Sequence, residues 1–368
     1  MANILVVSWS ALPYTKTASA FLAEDLKKVL SNHNVFLIGE GPDNTNDNNN
    51  FYVNTQIKYD GKGKRFLRPL RLLKIRKVKK LINRIICEQN IDSIIGIYPD
   101  EIFQMAGYLA SKEHKIKFIP YFHNTYLENV FGLNVIPAKR IHSKIFESPE
   151  ILVISDGLKN FYEKKYSNKF TCLRHYSFEE KLHHETLKRD SNSDINFFFV
   201  GTINDSNLDA TRFFCEQIKG SKIKLNISSS ISKEQLLRNG IINENVNYLG
   251  FVQDLSEEYG KNDFMLLTHG FKGEFSDAEY QTIFPTKTVE MLRSGRPIVC
   301  FSPENSFLTE FIRERNCAKI YTTKAPFVED IYKLLNNENN LTQFVNNAQD
   351  TYDLFSPNSA KKVLESVI

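Results

Sequence analysis

The chain has 368 residues, 42% of them hydrophobic, and a formal net charge of +4. That length suits two domains of about 150–180 residues each, and the small charge names no partner by itself. No window holds the roughly 18 uncharged apolar residues of a membrane-spanning helix. The opening MANILVVSW has no basic leader region and reads as a buried first strand of a cytoplasmic protein. Cys87, Cys172, Cys215, Cys300 and Cys317 are scattered and never spaced as CxxC. They read as buried structural thiols in a reducing compartment, not as a disulfide framework or a zinc site.

Short apolar runs alternate with amphipathic stretches, the pattern of βα units around parallel sheets. The predicted elements begin with a strand at 4–7, a helix at 18–31 and a strand at 35–38. An Asn/Asp-rich loop at 44–50 and a helix at 70–88 follow. Strands are expected at 93–97, 117–121 and 151–154. The polar stretch KRDSNSD (188–194) interrupts the pattern, and INFFFVG (195–201) opens a second Rossmann-like unit. Strands at 224–228, 246–249, 264–268 and 297–300 continue it. The expected fold is α/β with two Rossmann-like domains facing across a cleft, residues 1–185 and 186–350, and a last segment, 351–368, returning to the first. Doubly wound sheets bind ligands beyond the carboxyl ends of their strands, which says where to look and not what is bound.

The most informative stretch is FPTKTVEMLRSGRPIVC (284–300). Pro285 and Thr286 stand where a helix should start, with Thr286 as candidate N-cap. A helix start offers free N–H groups to phosphate oxygens, and Lys287 adds a full charge. Glu290, one turn on, can accept hydrogen bonds from paired hydroxyls such as those of a ribose. The bland alternative is a capped surface helix with Lys287 and Glu290 as an exposed i,i+3 ion pair.

This segment resembles the signature helix of family 4 retaining glycosyltransferases of the GT-B kind, in the form P-[ST]-K-x-x-E-x-x-x-x-G-x-P-[IV]. YLGFVQDLSEEYGKNDFMLLT (248–268), FFFVGTIND (197–205) and the segment 91–124 resemble its other landmarks in order and spacing. The resemblance implies that Pro285, Thr286 and Lys287 hold a donor diphosphate and that Glu290 holds the ribose hydroxyls. It further implies that Gly201 and Thr202 let a loop approach the phosphates, with His269 a donor contact. His123 would sit beneath the transferred sugar, and Lys16, Thr17 and Asn124 would line the first loop and acceptor side. Catalysis would rest on His123, Lys287 and Glu290, by positioning and electrostatics. Two departures stand out. A second glutamate expected eight residues before Glu290 is Thr282, with Glu279 three residues earlier as a possible substitute. The loop SWSALPYTKTAS (8–19) also lacks the glycines many relatives use. Arg174 and His175 are further candidates for phosphate charge, against a reading as solvated surface residues.

Residues 58–84 hold twelve Lys or Arg against one acid, Asp60. Lys64, Arg65, Arg68, Arg71, Lys74, Arg76 and Lys77, beside apolar residues at mixed helical spacing, suit an anionic membrane surface. A solvated basic helix is the alternative, and no nucleic-acid module accompanies the cluster. No GxSxG, HExxH or P-loop is present. The expectation is therefore a glycosyltransferase that moves a sugar, with retention, from a nucleotide-sugar to a saccharide or lipid-linked acceptor. It would act in bacterial surface polysaccharide synthesis, at the inner face of the membrane, with no metal or other cofactor. The rivals are a non-catalytic scaffold on this fold and a sugar-nucleotide epimerase or hydrolase. Donor sugar, nucleotide, acceptor, linkage and oligomeric state are not written in the sequence.

Overall fold

The computed structural model describes all residues except 16, 44–45, 48, 56–71, 99, 185–192, 253 and 274–275. Lys16, Lys64, Arg65, Arg68 and Arg71 therefore lie outside the described residues. The chain forms two compact units, Met1–Arg174 with Pro357–Ile368, and His175–Ser356.

The first unit is built on a sheet of eight described strands: β1 (Asn3–Val7), β2 (Asn34–Glu40), β3 (Asn46–Asp47), β4 (Asn50–Val53), β5 (Ser93–Ile97), β6 (Lys117–Phe122), β7 (Glu150–Val153) and β8 (Lys169–Cys172). Their order is β3-β4-β2-β1-β5-β6-β7-β8. Every pairing is parallel except β3 with β4. The expected loop at 44–50 thus includes strand pairing, because the turn about Asn49, at φ 69, folds the polar segment back on itself. Since β1 lies between β2 and β5, the winding reverses there and leaves a crevice at the carboxyl ends of β1 and β5.

The helix Lys74–Gln89 buries Val78, Ile82, Ile85 and Ile86. That is a clean i, i+4, i+7, i+8 stripe, where mixed spacing was expected. Lys77 donates to the Asp43 carboxylate at 2.7 Å and to the Asn54 carbonyl at 2.7 Å, and Lys79 pairs with Glu113. The last helix, Pro357–Val367, buries Ala360, Leu364 and Val367. It joins the first unit, where the Val367 carbonyl accepts from Lys117 and Glu365 accepts from Asn32 at 3.0 Å.

The second unit has a six-stranded parallel sheet: β9 (Ile195–Val200), β10 (Ile223–Ser228), β11 (Val246–Gly250), β12 (Phe264–Thr268), β13 (Ile298–Phe301) and β14 (Lys319–Tyr321), in the order β11-β10-β9-β12-β13-β14. A strand covered on both faces reads as an unbroken apolar run. Phe197 and Phe199 accordingly enter one core cluster while Phe198 enters the other. The switch point falls between β9 and β12. Residues 175–184 run along this unit, where Ser177 N–H donates to Phe355 O at 3.0 Å and Leu182 N–H to Arg293 O at 2.9 Å. The first compact unit therefore ends at Arg174.

Of the five thiols, Cys215, Cys300 and Cys317 are buried, but Cys172 is only half-buried and Cys87 is exposed. The reading of all five as buried is corrected: Cys87 lies off the apolar stripe of its helix. No helix among the described residues is long and apolar enough to cross a membrane.

Candidate functional site

At the carboxyl edge of the second sheet, the turn entering the helix Lys287–Arg293 is made by main-chain bonds. Thr288 N–H donates to Pro285 O at 2.9 Å and Val289 N–H to Thr286 O at 3.1 Å. Thr286 is itself helical, at φ −57 and ψ −34, and makes no side-chain cap bond. The expected cap is therefore absent, because Pro285, with its fixed φ, starts the turn one residue earlier. Thr286 and Thr202 are exposed, and Pro285 is half-buried.

Lys287 is half-buried as a residue, but its ammonium is enclosed and has no hydrogen-bond partner among the described residues. The Nζ stands 4.2 Å from the centre of the Phe199 ring. Burial lowers its pKa to about 7, opposed only slightly by Cys300. Glu290 does not neutralise it. The Glu290 carboxylate accepts from Arg293 Nε at 2.8 Å, which replaces the Lys287–Glu290 pair of the bland reading. Arg293 also donates to the Glu180 carbonyl at 3.3 Å. Glu290 is thereby oriented by its own helix, with a third of its side chain (33%) still exposed.

Gly201 ends β9 at φ +113, where an L side chain is strained. A Cβ built there meets only Lys287, its Cδ at 3.9 Å. Opposite, at the end of β12, His269 is buried and its N–H donates to Phe301 O at 2.8 Å. Its Nε2 lies 2.7 Å from the Tyr280 carbonyl. A carbonyl only accepts, so Nε2 carries the proton and Nδ1 is the acceptor. That Nδ1 makes no hydrogen bond of ordinary length, although the Ser206 backbone also acts on the ring. Burial drives the His269 pKa down to about 4, so the ring is neutral at pH 7. Gly270 is required beside it, since a Cβ there would lie 2.7 Å from Asp209 Oδ1 and 2.8 Å from Ser206 O. This close contact locks the loop after β12 to the loop after β9. Lys287, Gly201 and His269 thus converge on the β9/β12 switch point.

Thr282 is buried and donates its hydroxyl to Ala278 O at 2.8 Å, within the helix Asp277–Thr282. Glu279 is buried on the same helix, whose first turn is capped by Ser276.

In the first unit, His123 follows β6, half-buried, with its ring 4.7 Å from that of Tyr121. Asn124 is exposed. Thr17, also exposed, donates to Ser10 Oγ at 2.6 Å, and Ser10 donates to Thr15 at 2.8 Å. Hydroxyls therefore shape a loop that lacks glycine. Arg174 is engaged by Asp156 at 2.5 Å and is not a free phosphate ligand. Among described residues of the basic stretch, Arg76, Lys77, Lys80 and Arg84 are exposed.

Sequence reasoning missed Asp100, two residues beyond the Tyr98 that follows β5. It is buried, caps the helix Glu101–His114 at Phe103 N–H, and has no partner for Oδ2 among the described residues. Burial chiefly, with the nearby Glu101 and Glu40 charges, raises its pKa to about 8. The Pro-Asp-Glu run at a strand end was the signal available. No cluster of His, Cys, Asp or Glu suited to a metal occurs among the described residues.

No protein-family model and no curated protein matches the chain. Solved structures match over its whole length. A sucrose-phosphate synthase from Thermosynechococcus elongatus is 9% identical with a TM-score of 0.72, covering 100% of this chain and 98% of its own. A glycosyltransferase from Rickettsia africae is 14% identical with a TM-score of 0.67, covering 100% and 97%. HepE from Anabaena, in complex with UDP and glucose, is 12% identical with a TM-score of 0.68, covering 100% and 99%. These are GT-B structures. The fold is GT-B. Its second unit carries Lys287, Gly201 and His269, and its first carries His123 and Asp100.

Proposed function

We propose that this GT-B protein is a nucleotide-sugar-dependent glycosyltransferase, with the donor diphosphate held in the second unit. The observation that carries the reading is the enclosed, unpartnered Lys287 ammonium at the β9/β12 switch point. A cation taken from water without a counter-charge is costly, and a bound anion removes that cost. Gly201 and Thr202 let the loop after β9 approach the phosphates. Pro285 and Thr286 bring the turn alongside, and Glu290, held by Arg293, takes the ribose hydroxyls. His269 offers Nδ1 as an acceptor for a donor hydroxyl. HepE is described in complex with UDP and glucose, and another of its structures holds UDP-glucose, which supports a donor of that class.

In the reaction the bond between the anomeric carbon and the diphosphate oxygen breaks, and a bond from that carbon to an acceptor oxygen forms. The acceptor's proton leaves with the departing diphosphate. Lys287 stabilises the charge developing on that diphosphate, and the His123 ring orients a sugar hydroxyl. Retention of configuration rests on the resemblance of residues 285–297 to a retaining signature. In this reading the first unit, with Thr17, Asn124 and His123, takes the acceptor, a saccharide or lipid-linked saccharide of bacterial surface polysaccharide synthesis. Exposed Arg76 and Lys80 support reversible attachment to an anionic membrane surface at the cytoplasmic face, each contributing about 1 kcal/mol. No metal is needed in this scheme.

Thr282, whose hydroxyl is turned to Ala278 O, favours a second reading, a non-catalytic scaffold with a degenerate donor site. Turnover separates the two. Radiolabelled nucleotide-sugars incubated with bacterial membrane extract should give lipid-extractable label with the wild type and none with His123→Ala. Nucleotide binding without label transfer from any donor would favour the scaffold. Co-sedimentation with anionic vesicles, weakened by Arg76→Glu with Lys80→Glu, tests the membrane part.

A further inference from the structure

The Lys287 ammonium is held in a setting that disfavours its charge. Its Nζ is enclosed, faces the Phe199 ring at 4.2 Å, and has no hydrogen-bond partner among the described residues. Beyond the weak cation–π attraction of that ring, the groups around it offer no compensating charge. From the end of β9 come Phe199 and Gly201, neither of them charged. From β12 comes His269, whose pKa of about 4 leaves it neutral. From β13 comes Cys300, a thiol pushed far above its ordinary range by burial and so protonated. On its own helix, Glu290 is committed to Arg293 at 2.8 Å. Asp209, behind His269, is paired with Lys324 at 3.2 Å and receives the N–H groups of Phe271 and Lys272.

We propose that Lys287 rests largely as a neutral amine above neutral pH and is recharged by the diphosphate, so that nucleotide binding takes up one proton from solution. This rests on the donor-site reading above and adds to it a regulation by pH. The balance is simple: the amine lone pair accepts a solvent proton, and the resulting ammonium pairs with the incoming phosphate oxygens. The depressed value of about 7 for the free protein sets the range. Below pH 7 the amine is already protonated and binding needs no further proton. Above it, each pH unit costs about tenfold in affinity until the bound-state pKa is reached. Protein carrying this device binds donor best at or below neutral pH and releases it as the surroundings turn alkaline.

The test is titration calorimetry of the full chain with UDP, from pH 6.5 to 9.5, in buffer pairs of different ionisation enthalpy. The last phosphate ionisation, about 6, is complete through the upper part of that range. Expected are an uptake near one proton per UDP at pH 8.5 and a dissociation constant rising about 100-fold between pH 7.5 and 9.5. Lys287→Arg, charged throughout, should bind UDP with no uptake and a flat profile. Wild-type binding that is flat with pH and takes up no proton overturns the inference while leaving the donor site in force. No binding of UDP, ADP, GDP, CDP or dTDP by the folded chain even at pH 6.5 would remove the donor-site reading itself, and this inference with it.

Discussion

The carboxyl edges of the two sheets carry buried groups of opposite kind. In the second unit, the β9/β12 crevice is lined by the Lys287 ammonium, enclosed and without a partner. In the first, the segment after β5 carries Asp100, also enclosed, whose Oδ2 has no partner. Burial moves each toward its neutral form, Lys287 down to about 7 and Asp100 up to about 8. Yet they differ in what would satisfy them. An ammonium wants an anion with several oxygens, whereas a carboxyl beside Glu101 and Glu40 wants a hydroxyl or another donor. Two units with one winding plan thus present different chemistry to their ligands, and the difference lies in single side chains at the switch points.

The largest effect expected from breaking this contrast is at Lys287. Lys287→Met should weaken nucleoside diphosphate binding about 100-fold, near 3 kcal/mol, the weight of a charge-assisted contact. The same change should raise the melting temperature, because it removes a buried cation. The sign follows from the depressed pKa: the folded state loses its proton between about 7 and the unfolded value of 10.5. The penalty is full below pH 7 and fades toward pH 10.5. The gain in melting temperature should therefore be larger at pH 6 than at pH 9, which scanning calorimetry at both values checks.

Gly201→Ala comes next. Its φ of +113 strains any L side chain, at about 1–2 kcal/mol, and the methyl would lie against the Lys287 stem. Denaturant titration should show that loss, accompanied by roughly tenfold weaker nucleotide binding. Glu290→Gln should cost about fivefold in binding a nucleoside diphosphate and leave inorganic pyrophosphate unchanged, since the carboxylate is assigned to the ribose. Equal losses for both probes would move Glu290 to the phosphates.

The smallest effect on nucleotide binding should be at Asp100, where stability is the readout. Its pKa is raised, so the folded state holds an extra proton between the ordinary value of 3.8 and about 8. Stability from this group is present at low pH and is lost as pH rises through that window. Asp100→Asn keeps the cap acceptor for Phe103 and removes the titration. It should be more stable than the wild type by roughly a few kcal/mol at pH 8 and indistinguishable near pH 4. A difference independent of pH would mean that Asp100 acts only as a cap.

Most of the parallel strands were legible in the sequence, because a strand buried on both faces must be largely apolar, as the FFFV of β9 is. The weaker strands were not. β3 and β4 lie in an Asn-rich segment, and β8 and β14 are short and half-polar, so periodicity had little to register. For the proposed site, the spacing of residues 285–297 offers Lys287 and Glu290 as candidates, but not their partners. Arg293 competes for Glu290 at i+3 just as Lys287 does, and only packing chose between them. Whether Thr286 or the Pro285 turn starts the helix is likewise a matter of backbone angles. Asp100 escaped notice because an aspartate before a helix is an ordinary cap, and only its burial makes it unusual.

The central claim is that the second unit holds the diphosphate of a nucleotide-sugar at Lys287. Calorimetric titration of UDP, ADP, GDP, CDP and dTDP into the wild type and Lys287→Met, at pH 6.5, tests it most directly. The account predicts that at least one nucleotide binds the wild type and that the variant, folded and no less stable, binds it about 100-fold more weakly. Equal binding by the two proteins, or no binding by the folded wild type, would contradict it.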